Sequence, residues 1–278
     1  MSEAAKNRRD RAAAARDEAH AGERRRERTV RIVGAVTVLI VVVGIIGIAV
    51  VARNSQSSDA VTSSATVDPN APLPAGVLPT DDAHAYGVPY GTAASDAPVL
   101  EIWEDFQCPA CGAVEQANGD GIAALAEAGS VQLIWRPTTF LDRNVGNDAS
   151  ERAVAAWGCA IDAGKTREYH DTVYANQPEK EGDGFTDEQL LAFAGDVGIS
   201  GADLDTFTQC FTDRTYLSWS ANSTDIFYSS SIPGTPFALL NGVELPTEIL
   251  ADAGALEKAV SDAAAGTVAS PAASPAAS

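Results

Sequence analysis

Two cysteines three positions apart, Cys108 and Cys111, stand between an apolar run and a helical pattern, and this junction constrains the chain more than any other stretch. Val99 to Trp103 reads as a strand and Ala113 to Ala128 as a helix, so Cys108-Pro109-Ala110-Cys111 falls at a helix N-terminus. The first amides of a helix have no intrahelical partner, and the dipole there favours negative charge. A thiolate at Cys108 is therefore stabilised. Proline is preferred at the first helical position, so Pro109 places Cys108 at the cap and Cys111 one turn inside.

The surrounding pattern extends this into an architecture. A second strand, Val131 to Trp135, lies between Gly129-Ser130 and Pro137, which completes strand, helix, strand and implies a parallel pair joined by a crossover helix. Helical spacing then dominates over Ala149–Ala163, Thr166–Ala175, a helix opened by Thr186-Asp187-Glu188-Gln189, Ser200–Phe211 and Tyr216–Tyr228. The Thr-x-x-Gln spacing is a capping box. Strand signal returns at Pro236 to Leu240, runs into Asn241-Gly242, a strong hairpin dipeptide, and continues through Val243-Glu244-Leu245. A last helix is expected from Thr247 to Ala264, and 266–278, an Ala/Ser/Pro repeat, has nothing to bury.

Upstream, Ile32 to Ala52 holds 21 residues without a charge, enough at helical rise to cross a bilayer. Residues 1–31 carry ten Lys/Arg against six Asp/Glu, clustered at Arg24-Arg25-Arg26, Arg28 and Arg31. The positive-inside rule places this basic tail in the cytoplasm and the rest outside the cell membrane. Val50-Val51-Ala52 weakly resembles a cleavage site, but the run exceeds the apolar core of a signal peptide, so an uncleaved single-pass anchor is expected. Residues 53–84, rich in Ser, Thr, Ala and Pro, read as a flexible linker, with the folded part at 85–265. Beyond the tail, nine basic residues face 32 acidic ones, a balance that repels nucleic acid. All four cysteines follow the apolar run, which suits an oxidising exterior. Four cysteines allow three pairings, and spacing alone does not choose among them.

The residues Glu104-Asp105-Phe106-Gln107-Cys108-Pro109-Ala110-Cys111 and Ile232-Pro233-Gly234-Thr235-Pro236, followed by Asn241-Gly242, resemble the DsbA-like family of extracytoplasmic thiol-disulfide oxidoreductases, in particular its membrane-tethered bacterial members. The resemblance covers roughly residues 85–265 and implies an α/β, thioredoxin-like fold with an inserted all-helical domain at about 140–230, preceded by one transmembrane helix. It implies that Cys108 is the exposed nucleophile, that Cys111 resolves the mixed disulfide, and that Pro236 is a cis-proline packed against the pair. Thr235 then presents its backbone to an extended substrate segment, in the manner of strand addition. A structural disulfide between Cys159 and Cys210 is implied as well. No cofactor is expected beyond the redox-active disulfide Cys108–Cys111. The implied partners are reduced exported proteins and a membrane quinone-linked partner that reoxidises the pair.

Two positions depart from the family pattern. Many strongly oxidising members carry histidine before the second cysteine, where this chain has Ala110, so a less extreme oxidant is expected. The family often has a buried acid six residues before the nucleophile, where this chain has Ile102; Glu101 or Glu104 is the nearest substitute. Relatives serving as reductases or isomerases commonly have Trp and Pro where this chain has Gln107 and Ala110. A non-catalytic tethered binding module is opposed by the intact Cys108, Cys111 and Pro236. No metal is expected: a closed zinc site needs four nitrogen or sulfur ligands, and outside the tail there are only His84 and His170. His170 is expected to cap or decorate the helix Thr166–Ala175, and Trp103, Trp135, Trp157 and Trp219 to pack. Asn222-Ser223-Thr224 matches a glycosylation pattern that in a single sequence is usually chance.

Overall fold

The computed structural model describes residues 65–266. The expected basic tail and transmembrane anchor lie outside the described residues, as do the linker as far as residue 64 and the end from 267. Among the described residues no helix is long and apolar enough to cross a membrane. In chain order the elements are β1 (Val88–Tyr90), β2 (Val99–Glu104), α1 (Pro109–Glu127), β3 (Gln132–Pro137), α2 (Phe140–Val145), α3 (Ala149–Asp162), α4 (Thr166–Ala175), α5 (Asp187–Asp196), α6 (Ala202–Thr212) and α7 (Leu217–Ser229). The chain then returns to the sheet with β4 (Phe237–Leu240) and β5 (Val243–Leu245), and closes with α8 (Thr247–Leu250) and α9 (Ala253–Ala264).

The sheet order is β1-β3-β2-β4-β5, with β2 and β3 parallel and every other pair antiparallel. Strand β2 is central, and all of its residues after Val99 are buried, Glu101 and Glu104 included, so its sequence does not alternate as a half-exposed strand would. Its pairing with β4 sets Trp103 opposite Phe237. That register brings Thr235-Pro236, just before β4, beside the chain leaving β2 for Cys108. Helix α1 crosses from β2 to β3 and buries Cys111, Val114, Asn118, Ile122 and Ala126, one stripe at helical spacing. Asn241 and Gly242 both adopt positive φ, 51° and 76°, as the tight hairpin between β4 and β5 requires.

Helices α2 to α7 form the insert between β3 and β4. Helix α3 is its axis, buried along nearly its whole length and packed against α2, α4, α5, α6 and α7. Its small residues make such crowding feasible: a Cβ on Gly158 would lie 2.7 Å from the Tyr216 ring.

Several expectations are corrected. Residues 65–84 were expected to belong to the flexible linker, yet they are strapped across the insert. The Ala65 amide donates to Glu151 Oε1 at 2.8 Å, and the Ala75 amide to Asp162 Oδ1 at 2.8 Å. Asp68 exchanges two backbone hydrogen bonds, each 2.8 Å, with the side chain of Asn222. Polar side chains on α3 and α7 thus satisfy the backbone of the segment, while Val77 joins the core and Ala65 and Leu73 pack against it. Asn222 is consequently 1% exposed, and its glycosylation pattern is not presented to solvent. The single last helix is two, because Asp252 adopts an extended backbone and caps α9 through the Ala255 amide at 2.8 Å. Neither β1 nor α2 was expected. The former is a three-residue edge strand containing Pro89, and the latter is one short helix closed by left-handed Gly146.

Candidate active site

Cys108 is the N-cap of α1, with extended backbone (φ −75°, ψ 115°) and Pro109 at the first helical position. Cys108 and Cys111 are free thiols, 6% and 0% exposed. The expected exposed nucleophile is thus itself largely enclosed, though less completely than Cys111. The enclosure comes from the Thr235-Pro236 segment, whose peptide bond is cis. Cys108 Sγ donates to the Thr235 carbonyl at 3.3 Å, while the Thr235 hydroxyl is buried without a partner, so it can donate to the thiolate once the proton has left.

These contacts set the acidity of the pair. Hydrogen bonding from the Cys111 thiol lowers Cys108 to about 6 against the opposing effect of burial, assisted by Thr235 and by the amides of Cys111 and Ala110. Burial drives Cys111 the other way, well above an ordinary thiol, and the neighbouring Cys108 and Glu104 charges add to it. One sulfur is thus a thiolate at neutral pH and the other a thiol. Because the Cys108 shift is downward, its thiolate persists as pH falls and is lost only below about 6. Alkylation of the reduced chain, followed by mass spectrometry at Cys108, is expected to rise with a midpoint near that value. An ordinary thiol midpoint between about 8 and 9 contradicts the assignment.

The loop joining β2 to α1 is held from the insert. Asp105, fully buried, accepts from the Gln107 amide at 2.9 Å, the Ser150 hydroxyl at 2.5 Å and the Leu141 amide at 3.1 Å. Burial pushes its carboxyl up to about 7, with these donors opposing. The Gln107 amide group reaches Asp142 Oδ1 at 2.7 Å, Ser150 Oγ at 2.8 Å and Asn147 Oδ1 at 3.0 Å, more acceptors than its two hydrogens serve at once. Gln177, just after α4, donates to the carbonyls of Phe106 and Cys108 at 2.8 and 2.9 Å. Gly112 leaves room for it: a Cβ there would strike Gln177 Oε1. Apart from the local bond between Asp105 and the Gln107 amide, these three anchors leave no sequence signal, because their other partners lie in distant segments.

Behind Cys111, Ile102 is fully buried, and the acid that the family pattern has there is absent. Glu104 points from the same face of β2 and is 5% exposed. Its Oε2 lies 3.1 Å from His170 Nε2, and His170 is 1% exposed. His170 therefore does not decorate the outer face of α4; it is a core residue, packed against Trp135 with ring centroids 4.6 Å apart. The four tryptophans are all buried. Cys159 of α3 and Cys210 of α6 are joined by a disulfide, 51 residues apart in sequence, and stand apart from the Cys108–Cys111 pair.

The fold is shared with known proteins. The fold is similar to that of MdbA, a thiol-disulfide oxidoreductase from Actinomyces oris, with TM-score 0.56, 21% identity, and coverage of 71% of this chain and 95% of that one. It is also similar to oxidised BdbD from Bacillus subtilis, with TM-score 0.56, 17% identity, and coverage of 65% and 94%. Among curated proteins, the chain is 30% identical over 148 residues to the Na(+)/H(+) antiporter NhaA 3 of Salinispora tropica. That match covers 53% of this chain and 21% of the antiporter, so the chain spans about a fifth of that relative's length. A family profile described as thioredoxin matches residues 86–260, from the start of the sheet to α9 and across the Cys108–Cys111 junction, and the chain belongs to the thioredoxin family.

Proposed function

We propose that this protein is a thiol-disulfide oxidoreductase that introduces disulfides into exported proteins, tethered to the cell membrane with its N-terminus in the cytoplasm and its folded part outside. The observation that carries this reading is the Cys108 sulfur, capping α1, acidified to about 6 and facing the cis Thr235-Pro236 segment. A substrate thiolate attacks Cys108 Sγ of the oxidised pair, forming a mixed disulfide and expelling Cys111 as a thiolate that then takes up a proton. A second substrate thiolate attacks the substrate sulfur of that mixed disulfide and expels Cys108. The substrate leaves with a new disulfide, and the Cys108–Cys111 pair holds the two electrons until a membrane quinone-linked partner removes them. A leaving thiol of low pKa accelerates the last exchange, and stabilising its thiolate makes the pair an oxidant. The Thr235 backbone beside the sulfur supports capture of an extended substrate segment.

The extracytoplasmic setting is supported by the uncharged run 32–52, by the arginines before it and by the Cys159–Cys210 disulfide, since such bridges persist in oxidising compartments. Without an imidazole at Ala110, Cys108 near 6 stands between the about 3.5 of the strongest oxidant and the about 7 of thioredoxin. The potential is therefore expected between about −120 and −270 mV. Equilibrating the full chain with glutathione buffers, and supplying the oxidised form with a reduced peptide, tests both halves. A potential inside that interval with stoichiometric peptide oxidation is the expected result. A potential at or below the thioredoxin value points to a reductase, and failure to oxidise the peptide points to a binding module; either outcome overturns the reading.

A further inference from the structure

A groove between α1 and α4 holds chemistry that the exchange reaction does not use. It encloses about 590 Å³, and Gly112, Glu115, Asp120, Asp171, Tyr174 and Glu179 are among its lining residues. Glu115 of its lining belongs to a cluster with the buried Glu104 and His170, in which one ligand atom of each lies within 4.8 Å of the others. Glu115 comes from the turn of α1 after Cys111, Glu104 from the end of β2 and His170 from α4, so three separate elements converge on one point.

Two observations indicate what that point is shaped to hold. His170 Nδ1 lies 3.1 Å from Asp171 Oδ1 and its Nε2 3.1 Å from Glu104 Oε2, so each ring nitrogen faces a carboxylate, and with the proton held on Nδ1 by Asp171 it is Nε2 that an ion would take. An imidazole turned by an outer carboxylate in this way is the usual arrangement of a metal-binding histidine. Independently, Glu104 Oε1, Glu115 Oε1 and the Tyr174 hydroxyl are all buried without a hydrogen-bond partner. Tyr174 is 7% exposed and lines the same groove. Buried carboxylate oxygens left without a donor are costly, and a cation held between Glu104 and Glu115 would satisfy both. Phe106, Trp135, Trp157 and Tyr174 wall the imidazole with rings, which lowers the local dielectric and strengthens that demand.

We propose that Glu104, Glu115 and His170 form a binding site for a divalent cation of the zinc class, with Asp171 orienting His170 and the Tyr174 hydroxyl available to a water on the ion. One imidazole and two carboxylates suit zinc better than calcium or magnesium, which prefer six or more oxygens. The two carboxylates balance the ion's charge. Metal–ligand distances of about 2.0–2.2 Å require the three groups to draw together. The open groove supplies the ion's route inward. The site shares Glu104 with the surroundings of Cys111 but contributes neither exchanging sulfur, so zinc binding and disulfide exchange are read separately and either can fail without the other.

The experiment uses the full-length chain with the Cys108–Cys111 disulfide closed, so that no thiol competes for metal. Zinc chloride is titrated calorimetrically into the wild type, Glu115→Gln and Asp120→Asn, the last an exposed groove acid outside the cluster. One ion per chain is expected for the wild type and Asp120→Asn, with affinity at least tenfold lower in Glu115→Gln. Glu115 is chosen over His170 because the buried imidazole supports the core, and circular dichroism confirms that the variant is folded. Absence of stoichiometric binding, equal affinity in Glu115→Gln, or magnesium binding as tightly as zinc overturns the proposal.

Discussion

Cys108→Ser is expected to abolish disulfide exchange, while Cys111→Ser stalls it halfway and leaves substrate covalently attached through Cys108. The asymmetry follows from burial and acidity together. Cys108 alone reaches the surface, and Cys111 is fully enclosed and held as a thiol by desolvation. A substrate sulfur that has bonded to Cys108 can be released only by Cys111 or by a second substrate thiol. Removing Cys111 thus preserves the first bond and deletes the internal route out. Cys111→Ala, which leaves no donor in place of the thiol, also removes the largest stabiliser of the Cys108 thiolate, so that variant should alkylate with a midpoint raised toward an ordinary thiol. Turnover in Cys108→Ser is expected to fall at least about a thousandfold, since a serine hydroxyl cannot take part in thiol-disulfide exchange. Non-reducing electrophoresis after mixing with oxidised peptide reads both results. Equal adduct from the two variants sinks the assignment of nucleophile and resolver.

The features legible in the sequence are those whose physical cause is local. The Cys-Pro start of α1 needs only its own residues, as do the Asn241-Gly242 hairpin and the Thr186/Gln189 capping box, which forms with both of its hydrogen bonds. Pro236 was identifiable by resemblance alone, because nothing in an X-Pro dipeptide specifies the cis form. The support of the site was not legible. Gln107 meets Ser150 across 43 positions and His170 meets Glu104 across 66, so neither leaves a periodic or spaced trace. His170 lies on a helix whose polar neighbours suggested an exposed face, yet tertiary packing turned it inward among aromatic rings. Residues 65–84 misled for the converse reason. Their composition is that of a linker, yet they are held by hydrogen bonds to buried Asn222 and Glu151 and by Val77 and Leu73 packing into the core.

Replacing Cys159 and Cys210 together with alanine is expected to cost about 4 kcal/mol of stability, the loop-closure entropy of a link spanning some fifty residues. For a folded unit of this size that corresponds to a fall in Tm of roughly 8–16 °C. The bridge ties α3, the axis of the insert, to α6. The effect on exchange should be far smaller than on stability, because the active-site loop is held at the other end of α3. There Asp142 accepts the Ser150 and Glu151 amides, each at 2.9 Å, and Ser150 carries its hydroxyl to Asp105. Those bonds close within the first turn of the helix, whereas Cys159 lies more than two turns further on. Calorimetric unfolding beside a peptide-oxidation assay separates the two effects. Unchanged melting shows that the insert is held by packing alone, and a parallel loss of exchange shows that the bridge, and not the Asp142 contacts, fixes the position of the loop carrying Cys108.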